Sequence, residues 1–136
     1  MFNFEKATSS EFPFKHVVVR DAIAIEGEKF FDELRSIDES SYIVSNNRNF
    51  QKRELRSASG LIGELLTAMQ GEEILAFCKN SFNFDELYND SNFDGGGLTI
   101  TNKGGFLRYH ADFPYSNLAN RYRVINAILY LSTPDI

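Results

Sequence analysis

Apolar residues recur along this chain with two different periods, and the change of period divides it. From about Glu26 to Ile37, Phe30, Leu34 and Ile37 fall on one side of a helical wheel, the spacing of an amphipathic helix. A second stretch from about Ser57 to Gln70 places Leu61, Ile62, Leu65, Leu66 and Met69 on one side, with Gly71 positioned to end it in the left-handed C′ conformation. A third, shorter helix is expected through Ile74, Leu75 and Cys78. Upstream, residues 12–20 are β-branched and aromatic, which predicts a short strand.

After Asp94-Gly95-Gly96-Gly97 the period becomes two. Leu98 to Thr101 reads as a strand, Asn102-Lys103-Gly104-Gly105 as a hairpin turn, and Phe106 to Ala111 as the returning strand. A loop with Pro114, Ser116 and Asn117 leads to the most strand-like segment of the chain, Tyr122 to Ser132. The polar stretches 38–49 and 89–96 connect elements and are too short to separate domains. Helices followed by antiparallel strands predict one α+β domain over 1–136, its helical part about 1–90 and its strands about 96–132, with helices on one face of the sheet. The glycine triplet precedes a strand rather than opening a helix, which argues against a dinucleotide-binding turn.

Composition narrows the function. The 136 residues are 43% hydrophobic with 13 Phe and 6 Tyr, enough to bury a core and to exclude disorder. A net charge of −5 lacks the basic footprint of a general nucleic-acid binder. The single cysteine, Cys78, cannot form an internal disulfide; on an apolar helix face it reads as a small core residue in a reducing compartment. No apolar run approaches the ~20 residues that span a bilayer, and the N-terminus lacks the pattern of a secretory signal, so no membrane partner and a cytoplasmic location are expected and the sequon at Asn89 is expected to stay unmodified. Arg48, Lys52, Arg53 and Arg56 form a basic cluster that reads as a solvated helix start, with an anion or substrate contact as its alternative role.

The chemistry concentrates in His110-Ala111-Asp112. On a strand, residues two apart point to the same side, so one imidazole nitrogen and one carboxylate oxygen can converge on a point. Two ligands of the 2-His-1-carboxylate triad of non-haem Fe(II) enzymes have this relationship. The same dipeptide spacing also occurs as an ordinary polar pair at a strand end. Asn126, Ile128 and Tyr130 share one face of the following strand by parity.

The wider context carries a resemblance. Gly104 through Asp112, followed by Arg123, Asn126 and Tyr130-Leu131-Ser132, resembles the prolyl 4-hydroxylase-like family of Fe(II)- and 2-oxoglutarate-dependent oxygenases over roughly residues 98–136. In that family a glycine lies six positions before the ligand histidine, an apolar residue (here Leu107) three before it, and an arginine about ten after the aspartate. The resemblance implies N-terminal helices packed on an incomplete double-stranded β-helix, or jelly roll. It also implies His110 and Asp112 as iron ligands, 2-oxoglutarate as co-substrate and ascorbate as a candidate reductant. Tyr130, Asn126 and Ile128 would line the co-substrate pocket; Thr101 stands where many members have a tyrosine that contacts the co-substrate. Arg123 would fix the start of its strand by an ion pair. The substrate, a protein or a small molecule, is not specified by these residues.

In the family, further strands supply a second histidine ligand and an Arg or Lys that pairs with the co-substrate. The sequence ends before such elements, and the only other histidine, His16, sits far upstream, where it reads as an ordinary imidazole rather than the third ligand. The expectation is therefore an incomplete chain with little turnover, and a homodimer that covers the exposed strands 106–111 and 122–132. The alternative is a non-catalytic jelly-roll association module with a vestigial His-x-Asp.

Overall fold

A computed structural model describes residues 1–47 and 50–131, with Phe50 described by its backbone alone. Arg48 and Ser132, both named above, lie outside the described residues, as does the C-terminal end of the segment 122–132. The architecture is α+β: among the described residues there are three α-helices and several small antiparallel sheets, none of them closed.

The chain begins with a hairpin of β1 (Ala7–Ser10) and β2 (His16–Val19). The sequence reading placed one strand over residues 12–20; it starts later, and the polar Ala-Thr-Ser-Ser segment that partners it carried no strand pattern. Phe4 stacks on Phe77 with ring centroids 4.0 Å apart, which ties this end of the chain to the helices.

Helix α1 (Gly27–Ser36) buries Phe30, and α2 (Gly60–Met69) buries Ile62, Leu65 and Leu66, the apolar stripes expected of both. The N-terminus of α2 has no side-chain cap from Ser59. Instead Glu33 of α1 reaches over, and its Oε2 accepts from the Leu61 N–H at 2.7 Å, satisfying one of the orphan donors of the first turn. Gly60 makes this approach possible: its φ is +63°, and a Cβ there would stand 2.6 Å from Glu33 Oε2.

Gly71 does not take the left-handed conformation expected of it. It is extended and forms the N-cap of α3 (Glu72–Phe82), with its N–H bonded to Ala68 O at 3.0 Å. Two helices therefore meet almost end to end, and α3, with 11 residues, is not the shorter of them. The left-handed cap falls to Asn83 at the end of α3.

The principal sheet has β4 (Phe50–Leu55) as its spine. One edge of β4 pairs with β3 (Ile43–Asn46), the other with β5 (Leu98–Ile100) and then β6 (Phe106–Leu107). Two sequence readings are corrected here. The supposed linker 38–49 contains β3, and Lys52 and Arg53 of the basic cluster lie on β4, with Arg56 just past its end, rather than at a helix start. The alternation of the β4 segment is in charged and polar residues, so it gave no hydrophobic period to read. Leu98–Ile100 and Phe106–Leu107 are not hairpin partners either: both run antiparallel to β4, in line with each other, and the glycine-containing stretch 101–105 is an excursion from one interrupted strand. Phe30, Tyr42, Leu55, Ile62, Leu65 and Leu66 form the core between this sheet and helices α1 and α2.

A last small hairpin joins β7 (Tyr115–Ser116) to β8 (Arg121–Tyr122). Beyond it, residues 123–131 form no ladder, contrary to the strong strand expectation for Tyr122 onward. Their alternation is nevertheless visible in the burial: Arg123, Ile125, Leu129 and Leu131 are partly buried, whereas Val124, Asn126, Ile128 and Tyr130 face solvent. Leu129 and Leu131 pack against the core. Among the described residues, no helix is long and apolar enough to cross a membrane.

Candidate functional site

His110 and Asp112 lie in the segment between β6 and β7 and do converge. His110 Nε2 stands 3.4 Å from Asp112 Oδ1, with both side chains partly open to solvent. The other imidazole nitrogen, Nδ1, is 2.7 Å from the carbonyl oxygen of Arg108. A carbonyl only accepts, so Nδ1 carries a proton, and Nε2 is the nitrogen turned toward Asp112. A backbone carbonyl on the other ring nitrogen is also what metal-bound histidines commonly have, and it fixes which way the ring faces. Ligand atoms about 2.0–2.2 Å from a first-row divalent ion, in adjacent positions, are separated by roughly 3.0–3.4 Å. The His110–Asp112 pair fits one edge of such a coordination sphere.

The third corner is not supplied. Among the described residues, no group of three or more His, Cys, Asp or Glu side chains is placed to hold a metal ion. His16 is on β2, opposite Ser10, with Nδ1 2.9 Å from Phe14 O and its ring against Phe14. It joins no ligand set.

The segment bearing Asp112 is held against residues 123–126. Arg123 N–H donates to Pro114 O at 2.8 Å, continuing the antiparallel course of β7 and β8. The Arg123 guanidinium lies 3.9 Å over the Phe113 ring. No ion pair forms at Arg123 among the described residues, so its expected role is corrected: it holds the neighbouring segment through its face and its backbone. Three residues further on, Asn126 Nδ2 donates to Asp112 Oδ2 at 3.3 Å.

The remaining named positions are less gathered. Tyr130 is 85% exposed and Ile128 62%, on the same side of the extended segment as Asn126. Thr101 is exposed at the start of the excursion between β5 and β6. The Tyr130 and Thr101 side chains make no hydrogen bond to His110 or Asp112.

The basic residues of β4 are internally neutralised. Arg53 Nη1 donates to both oxygens of Glu39, at 2.5 and 2.6 Å, and stacks over Tyr42; the Glu39 carboxylate holds the guanidinium pKa above its usual value. Lys52 Nζ is 3.3 Å from the buried Glu54 Oε1. Cys78 is buried, and burial pushes its thiol up, away from nucleophilic character. The Asn89 amide donates to Gln70 O at 2.5 Å.

The network behind the site was not foreseen. Asp90 caps the turn that leads to the glycine triplet, accepting from Asn92 and Asp94 N–H groups. Asp94 Oδ2 in turn accepts from the buried Ser116 hydroxyl at 2.6 Å. The signal lay in the Asp90-Ser91-Asn92 spacing, which suits a side-chain-to-backbone turn. Compared with protein-family models, curated proteins and solved structures, the chain matches none.

Proposed function

We propose that this chain carries the iron-binding edge of an Fe(II)- and 2-oxoglutarate-dependent dioxygenase of the prolyl 4-hydroxylase-like kind. The observation that supports the reading most is the His110 ring, held by Arg108 O at Nδ1 with its Nε2 3.4 Å from Asp112 Oδ1. When bound, iron with the co-substrate would supply the oxidising chemistry for hydroxylation. The chain's own part would be to offer the metal one imidazole nitrogen, from His110, and one carboxylate oxygen, from Asp112. Water would complete the sphere unless further donors enter, so with two protein ligands the metal is held weakly. On the same reading, Asn126, Ile128 and Tyr130 line an open barrel face, the sheet is part of a jelly roll, and Thr101 approaches the co-substrate.

The test is Fe(II) or Co(II) binding to the purified chain. Wild type is expected to bind one ion, and His110→Ala and Asp112→Ala each to lose at least tenfold in affinity. Equal binding by all three would refute the reading.

A second reading is favoured by the uncovered face of Val124, Ile128 and Tyr130. In it the chain is a non-catalytic association module and forms a homodimer through segments 106–111 and 122–132. Association that is indifferent to metal and to His110→Ala would favour it.

A further inference from the structure

We infer that Asn126 is a positioning residue that orients the Asp112 carboxylate. The inference rests on the proposed role of His110 and Asp112 as metal ligands. Asp112 has two oxygens with separate duties: Oδ1 faces His110 Nε2, and Oδ2 receives Asn126 Nδ2. A carboxylate accepts only, so the amide of Asn126 must present its NH2 group to it, whichever way the side chain would otherwise turn. Without that donor the exposed carboxyl can rotate about its last bond, and Oδ1 no longer has a fixed direction.

The donor itself is well placed to do this. The Arg123 N–H bond to Pro114 O and the stacking of Arg123 on Phe113 set the segment from Arg123 to Asn126 beside the one from Asp112 to Pro114. The position of Asn126 therefore follows from backbone pairing, not from the metal. An outer partner of this kind typically changes metal affinity by about 10–100-fold. At 3.3 Å and in partial contact with solvent, the lower end of that range applies.

The experiment is Co(II) titration of the full chain, followed by the visible ligand-field spectrum, with four proteins: wild type, His110→Ala, Asn126→Leu and Asn126→Gln. Asn126→Leu keeps the branching at Cγ and removes the donor; Asn126→Gln keeps the amide. The expected result is loss of binding in His110→Ala, about tenfold weaker binding with altered bands in Asn126→Leu, and recovery of both affinity and spectrum in Asn126→Gln. If His110→Ala loses the ion while Asn126→Leu matches wild type in affinity and spectrum, the positioning role is wrong and the ligand pair stands. If His110→Ala binds as wild type does, the ligand pair is wrong and the inference falls with it. Equal unfolding temperatures across the set show that the fold is intact.

Discussion

Arg123 lies with its guanidinium carbon 3.9 Å from the centre of the Phe113 ring, and the same two side chains close over Gly95, where a Cβ would come within 3.2 Å of both. Gly95 has a φ of +74°, so an added side chain there is strained as well as crowded. This contact clamps the residue after Asp112 to the start of the extended segment 123–131. Arg123→Ala is expected to remove about 0.5–1 kcal/mol of local attraction. The loss should appear as faster hydrogen exchange at the Arg123 amide, with α1 and α2 unchanged. Gly95→Ala should produce the same local loosening by a different route.

Glu33 acts across two helices. Its carboxylate accepts from Leu61 N–H in place of an ordinary N-cap side chain. Glu33→Ala is expected to cost about 0.5–2 kcal/mol, the range for loss of a capping acceptor, read as a lower urea midpoint with the slope unchanged. Glu33→Gln retains an acceptor oxygen without the charge and should fall between the two.

Acid should loosen the turn before β3. The Ser40 hydroxyl, and then the Ser40 N–H, hold Asp38 below its usual 3.8. Lys6 does the same for Asp21, first by its hydrogen bond and then by its charge. A carboxylate lowered in the folded state adds stability above its unfolded pKa and loses it as pH falls through the folded value. Both contributions are thus present above pH 3.8 and fade below it. Asp38→Asn should flatten the decline of unfolding temperature between pH 4 and pH 2, roughly the interval over which such groups titrate. An unchanged slope would show that Asp38 is not coupled to folding.

The solvent-facing side of 123–131 predicts self-association. Residues 124–131 carry no charge, so two copies can lie side by side without like charges opposed. Sedimentation of wild type at tens of micromolar is expected to show a dimer, and Ile128→Lys with Tyr130→Glu a monomer. A monomer in wild type would remove the homodimer from both functional readings.

The two earlier helices and the α+β class were legible because Phe30, Leu65 and their neighbours repeat with a clean helical period and have a sheet to bury against. His110 and Asp112 do lie 3.4 Å apart, but not by the strand period from which their pairing was read: the expected strand Phe106 to Ala111 ends at Leu107, and both residues lie in the irregular segment beyond it. What escaped was decided by partners distant in sequence. Strand β4 reads as Gln-Lys-Arg-Glu, and the carboxylate that matches Arg53 belongs to Glu39, outside the strand, which no local pattern shows. The hairpin expected around Gly104-Gly105 failed because both flanking segments found the same partner. Arg123 was assigned an ion pair on charge alone, yet among the described residues its guanidinium stacks on the Phe113 ring instead.

That shared partner has a consequence of its own. Ile100 sits opposite Arg53 and Phe106 opposite Gln51, so five residues of chain stand against a single residue of β4, Lys52. Alignment on either side is fixed by the spine and owes nothing to the intervening length. The detour from Thr101 to Gly105 is therefore the place where this chain can be lengthened or shortened without shifting any strand, and where variation in size, if it arises, would be absorbed.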